Sequence, residues 1–211
     1  MKKMIRSTIA GSMIALGGLA PAAALPLPVR GTIDAAQGNQ LSVTETSGTK
    51  LAVTLAPNAT ITEVVPSSLS AVKAGTYVGT AAVKQIGGTY RAMELQIFPA
   101  KIRGIGLGTR QWNLAPHSTM TNGTVGGIAH AGGTVGTVSG SGDLTLTVND
   151  GSGTKTVLVA QGVPVVTYAP GNQADLQPGG HVIFFPSGAI ANGKVATSRI
   201  SVGKDGLTPP M

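Results

Sequence analysis

The 211-residue chain carries 15 basic and 8 acidic side chains, three histidines and no cysteine, for a formal charge of +7. Without cysteine it cannot rest on a disulfide framework, and its dispersed basic residues lack the clustered Lys/Arg surface of a nucleic-acid binder. One Trp, three Tyr and three Phe leave few stacking platforms for a polymer.

Residues 1–24 read as an export signal. Lys2, Lys3 and Arg6 make a positive start, residues 7–20 are uncharged and mostly apolar, and Ala22, Ala23 and Ala24 supply small residues for cleavage. An apolar run of about 14 residues falls short of the roughly 20 that span a bilayer. No cysteine follows it to take a lipid anchor. Removing Lys2, Lys3 and Arg6 would leave 12 basic against 8 acidic residues, or +4. Cleavage near Ala24 then predicts a periplasmic or secreted product with no membrane span.

From residue 29 the chain reads as strands, and it does so twice. "LSVTETSGTKLAVTLAPNATITEVVPSSLSAVKAGTYVG" (41–79) aligns with "LTLTVNDGSGTKTVLVAQGVPVVTYAPGNQADLQPGGHVI" (144–183) at an offset drifting from 103 to 105. Leu41 meets Leu144, Val43 meets Leu146, Ile61 meets Val165, Val78 meets Val182 and Leu95 meets Ile200. The apolar positions and glycines stay in phase, as a duplication requires. Leu41 and Val43, then Leu51, Val53 and Leu55, recur with the period of two that puts one face of a strand on a core. "SGTK" (47–50) and "DGSGTK" (150–155) hold hairpin glycines. "SSLSAVKAG" (67–75) and "NQADLQPGG" (172–180) predict one helical turn each, capped by Ser67 or Ser68 and by Asn172, with Val72 and Leu176 plugging the sheet. "TYVGTAAV" (76–83) and "HVIFF" (181–185) predict the next strands. No apolar stripe at helical spacing exceeds two turns.

Five or six short antiparallel strands around one plug, in about 70 residues, suggest a small closed barrel of the OB type. The expected architecture is all-β: two tandem OB-like barrels, 29–99 and 120–203, joined by an ordered connector (100–119) and followed by a tail (204–211). A pair of small sandwiches is the competing architecture. Asn122 and Gly123 are expected to form a turn or bulge, and "GGIAHAGGTVGTVSGSG" (126–142) a long Gly-rich hairpin or loop. The export signal, the paired copies, the connector "RGIGLGTRQWNLAPHSTMTNGTV" and the ending "VGKDGLTPPM" together resemble bacterial exported proteins related to DUF5666-type small β-barrel domains. The resemblance covers nearly the whole chain after the signal. It implies a periplasmic OB-like fold and brings no catalytic residues with it.

Chemistry is sparse. His117, His130 and His181 lie in separate segments, none beside a carboxylate, and there is no G-x-S-x-G elbow, H-E-x-x-H helix or P-loop. "GTVGTVSG" (133–140) leads into a strand, so no helix N-terminus awaits a phosphate. His117 and Met120 stand three apart with His130 beyond, a copper-like set, but no acidic residue occurs between Glu94 and Asp143 to support it. Neither enzymatic activity, nor a metal, nor a cofactor is expected.

The richest stretch is the connector, and the candidate ligand residues are Arg103, Arg110, Trp112, His117 and Asn122. Trp112 either stacks on a sugar or a partner, flanked by the two arginines, or packs between the barrels while the arginines bond backbone carbonyls. An exposed indole would favour the first reading and a buried one the second. The function expected is a non-enzymatic binding or interaction module of the bacterial envelope, with an envelope protein or glycan as partner. The alternative is a periplasmic small-ligand, glycan or metal binder using the connector.

Overall fold

The structure, a computed structural model, describes residues 26–130 and 143–211. The export-signal region and residues 131–142 of the Gly-rich segment lie outside the described residues. All regular structure within them is β-strand, apart from four short 3-10 turns.

The first barrel starts with a meander. β1 (Val29–Gln37) pairs antiparallel with β2 (Gln40–Glu45), which pairs antiparallel with β3 (Lys50–Pro66). Closure comes from the far end of the chain: β12 (His181–Pro186) pairs with β1, β13 (Lys194–Gly203) pairs with β12, and β13 runs parallel to β3. The alternation read from sequence faces this barrel's interior, where Leu41, Val43, Leu51, Val53 and Leu55 pack with Phe184, Val195 and Ile200. Leu176, set just after the 3-10 turn Gln173–Asp175, closes the bottom. That turn holds a full capping box: Asn172 Oδ1 accepts from the Ala174 N–H at 2.8 Å and Asp175 accepts from the Asn172 N–H at 2.7 Å.

A second cycle of pairings uses the strands between. β4 (Tyr77–Lys84) pairs with β5 (Tyr90–Ala92) and with β8 (Ser118–His130); β8 pairs with β9 (Leu144–Asn149), and β9 with β10 (Thr154–Val159). A short parallel contact of β10 with β5 returns to the start. Val72, Val78, Leu95, Val125, Leu146, Val148 and Val157 fill this ring. The turn Leu69–Ala71 carries Val72 into it, but Ser68 makes no side-chain cap. Two strands stitch the rings: β6 (Leu95–Ile97) pairs with β4 and runs parallel to β11 (Val165–Pro170), and β11 pairs antiparallel with the end of β3.

The expected partition into tandem units 29–99 and 120–203 is therefore corrected. Each ring takes three strands from one half and two from the other. β3 explains the crossing: its 17 residues are about three times the usual strand length, and its far end leaves its own barrel to pair with β11. Period-two alternation specifies which face of a strand is buried but not which strand pairs with it, so partners distant in sequence can close a ring. The sandwich alternative fails because β3–β13 and β10–β5 close each set of strands on itself.

Three local expectations change as well. Asn122 and Gly123 lie inside β8, paired with Gly79 and Val78, and the bulge falls between Val125 and Gly127. Glycine is needed at 123 because a Cβ there would stand 2.3 Å from the Asn149 carbonyl oxygen. Residues 126–130, expected in a hairpin or loop, continue β8 to His130 opposite Leu144 in an antiparallel pair with β9. The connector contributes an edge strand, β7 (Gly108–Gln111), antiparallel to β8. Thr109 on β7 donates to Asp150 Oδ2 at 2.7 Å. Burial acts to raise the Asp150 pKa, but this bond, two from Ser152 and the charge of Lys155 prevail and hold it at about 2.

Candidate functional site

Because β4 and β12 each face a ring core on one side, their other sides meet between the rings. Ala81 from β4 and Ile183 from β12 join Val64, Trp112, Met120, Val166 and Met211 in a third apolar cluster, flanked by Tyr168 and Phe185. Tyr77 to Ala82 and Val182 to Phe184 are consequently buried without a break. Sequence alternation alone predicts one wet face there.

A cavity of about 370 Å³ opens in this layer. Its walls are aromatic. Phe98 and Tyr168 stack with centroids 5.5 Å apart, and Trp112 and Phe185 meet at 6.2 Å. Arg110 Cζ lies 5.4 Å from the Trp112 ring centroid, and Arg199 Cζ lies 4.5 Å from that of Phe185. Arg110 donates to the Gly106 carbonyl at 2.8 Å. Burial, reinforced by the like charge of Arg199, lowers the Arg110 pKa.

The polar floor runs Tyr168–Gln96–Glu94. Tyr168 Oη donates to Gln96 Oε1, and Gln96 Nε2 donates to Glu94 Oε1 at 3.2 Å and to Met120 Sδ at 3.8 Å. Burial, and next the Glu94 charge, push the Tyr168 pKa up. Glu94 is fully buried. Burial pushes its pKa up to about 8, against the opposing pull of the Ala81 N–H, Gln96 and Arg30. Four buried polar atoms have no hydrogen-bond partner among the described residues: Arg30 Nη2, Glu94 Oε2, Trp112 Nε1 and Asn122 Oδ1.

The Glu94 environment has a measurable consequence. A carboxyl whose pKa rises from 4.5 to about 8 on folding keeps a proton that the unfolded chain releases. Stability is therefore lost as pH rises through that window, by at most roughly 1.4 kcal/mol per pH unit. Glu94→Gln removes the slope. Urea denaturation at pH 5 and pH 8 should find the variant close to the parent at pH 5 and clearly more stable at pH 8.

Of the five residues predicted from sequence, Arg110, Trp112 and Asn122 line this cavity. Trp112 is only 7% exposed and packs between the rings while also lining the cavity. Both arginines bond backbone carbonyls. Arg103 sits apart, donating to the Gly75 carbonyl at 2.8 Å and to Thr124 Oγ1 at 3.1 Å, with its guanidinium over Tyr77. His117 is exposed in the turn after Pro116, at φ 60°. The glycines of the connector act through conformation: Gly104, Gly106 and Gly108 all have positive φ, and no atom lies within 4 Å of a Cβ at Gly104. Sequence reasoning missed Gln96, Phe98, Tyr168, Phe185 and Arg199. Each sits at an ordinary strand position or beside one, and only the β6–β11 pairing and the closure by β13 bring them together.

Among the described residues, no three His, Cys, Asp or Glu side chains gather as a metal site, and no helix is long and apolar enough to cross a membrane. No family model, no curated protein and no solved structure matches the chain.

Proposed function

We propose that this is an exported, non-enzymatic binding protein of the bacterial envelope whose ligand is a small molecule held in the cavity between the rings. One observation carries the reading: a cavity of about 370 Å³ between the rings whose walls include Phe98, Trp112, Tyr168 and Phe185. Apolar walls with a few polar side chains, here Gln96, Arg110 and Asn122, are the usual make-up of a small-molecule site.

We further read the rings as OB-like and the chain as a duplicated unit that has exchanged strands. Each ring follows a three-strand meander with a parallel closing pair. The contact of Ile61 with Ile200 has its repeat counterpart in Val165 with Leu95. Val64 pairs with Tyr168, its own counterpart 104 residues on. Export, and kinship with DUF5666-type domains, rest on the sequence features alone. A second reading, docking of an envelope protein or glycan at the connector, draws support from Ile105 and Leu107, exposed next to the cavity.

Protein isolated gently from its native envelope fraction should carry one small molecule per chain in native mass spectrometry, with a chain mass beginning after Ala24. Ser198→Trp, at an exposed rim position of the cavity, should abolish the added mass without changing the melting temperature. A chain that arrives bare, and takes up nothing from an envelope extract, would sink the reading.

A further inference from the structure

We propose that the ligand of the inter-ring cavity is an organic anion, its negative group held between Arg110 and Arg199 and its flat apolar body laid against Trp112 and Phe185. The inference rests on the cavity reading above and names the ligand's chemistry.

The two guanidiniums reach one cavity from different places, Arg110 from edge strand β7 and Arg199 from barrel strand β13. Each is mounted on one of two neighbouring rings, Trp112 and Phe185. Neither has a carboxylate within ion-pair distance among the described residues, where the ion pairs are Lys155–Asp150 and Lys204–Glu63. A guanidinium has five N–H donors. Arg110 uses one on the Gly106 carbonyl, and the Arg199 guanidinium makes no hydrogen bond among the described residues.

Two like charges at one partly dry site repel; burial first, and then the charge of Arg199, lower the Arg110 pKa. An anion between them converts that repulsion into two charge-assisted contacts, the stronger class of hydrogen bond. Burial pushes the pKa of the buried Glu94 up to about 8, which favours its neutral form and lessens its opposition to a negative ligand. At about 370 Å³ the cavity stands near the small end of ligand sites, with room for on the order of a dozen non-hydrogen atoms.

The test uses the full chain without its leader, 2-naphthoate as probe and neutral 2-naphthamide as its isostere, by calorimetry at pH 7 and low salt. Naphthoate should bind at least tenfold more tightly than the amide, and added salt should weaken the acid alone. Arg199→Gln, at an exposed position, should cut naphthoate affinity at least fivefold and leave the amide unchanged. Equal affinities, or an Arg199→Gln variant whose preference for the acid is undiminished, would overturn the anion assignment while leaving the cavity as a site. If neither compound binds but an envelope-derived neutral molecule does, the anion class falls alone. If nothing binds and the emission of Trp112, the sole tryptophan, never moves, both readings fall.

Discussion

Residues 26–103 produced without the rest of the chain should remain unfolded, and should fold on mixing with residues 104–211. The cut falls before exposed Gly104, in the connector. The fragment keeps β1, β2 and β3 but loses β12 and β13, and with them Val182, Phe184, Val195, Ile200 and Val202 from the barrel core. Both lateral edges of the remaining meander are then unpaired and open to aggregation. Its own β4 is a poor substitute. In the repeat read from sequence, Thr80 aligns with Phe184 of β12, so closing the barrel with β4 would replace a fully buried ring by a hydroxyl-bearing side chain. Large-to-small replacement of a buried Phe costs about 3–5 kcal/mol, a large share of the stability of a domain this size. Circular dichroism and sedimentation of the separate and mixed fragments read the outcome. A cooperative melt from 26–103 alone would return the molecule to the tandem arrangement.

Gly123→Ala is expected to cost about 3 kcal/mol, and Gly31→Ala about the same, for one reason met twice. A Cβ at 123 would stand 2.3 Å from the Asn149 carbonyl oxygen and 2.7 Å from Val148 Cγ1; at 31 it would stand 2.4 Å from the Thr44 oxygen and 2.7 Å from Val43 Cγ1. Neither glycine has a positive φ, so the penalty is collision and not backbone strain. The obstructing atoms include main-chain carbonyls of the neighbouring strand, which cannot move without opening the β1–β2 or β8–β9 hairpin. Gly153→Ala, where no atom lies within 4 Å and φ is not positive, is the control and should change stability by less than about 0.5 kcal/mol. Urea midpoints within 1 kcal/mol of the parent for both Gly31→Ala and Gly123→Ala would refute the close strand approach.

The legible part of the site was its local part. Arg110, Trp112 and Asn122 stood out as rare side chains in one connector, and the structure places them on one cavity. Tyr168 and Phe98, 70 residues apart in sequence, gave no such signal, because each reads as an ordinary half-buried strand residue. Thr167 pairs with Ile97 in the β11–β6 ladder, and that pairing alone sets Tyr168 against Phe98. Arg199 was equally silent: an arginine in a strand of alternating apolar residues reads as a solvated position until β13 closes the barrel beneath Phe185.

From residue types and their spacing alone followed the all-strand character, the buried faces of β2 and β3, the plugs at Val72 and Leu176, and the tight turns at Gly48 and Gly151. These depend on neighbours within a few residues, where period-two alternation and turn stereochemistry act. Which strand closes which ring depended on the fit of Phe184 or Thr80 into a particular core, and thus on volumes contributed by both halves at once. That competition between equivalent partners exists only in three dimensions, and it alone decided that the rings interlock and that a cavity with two arginines opens between them.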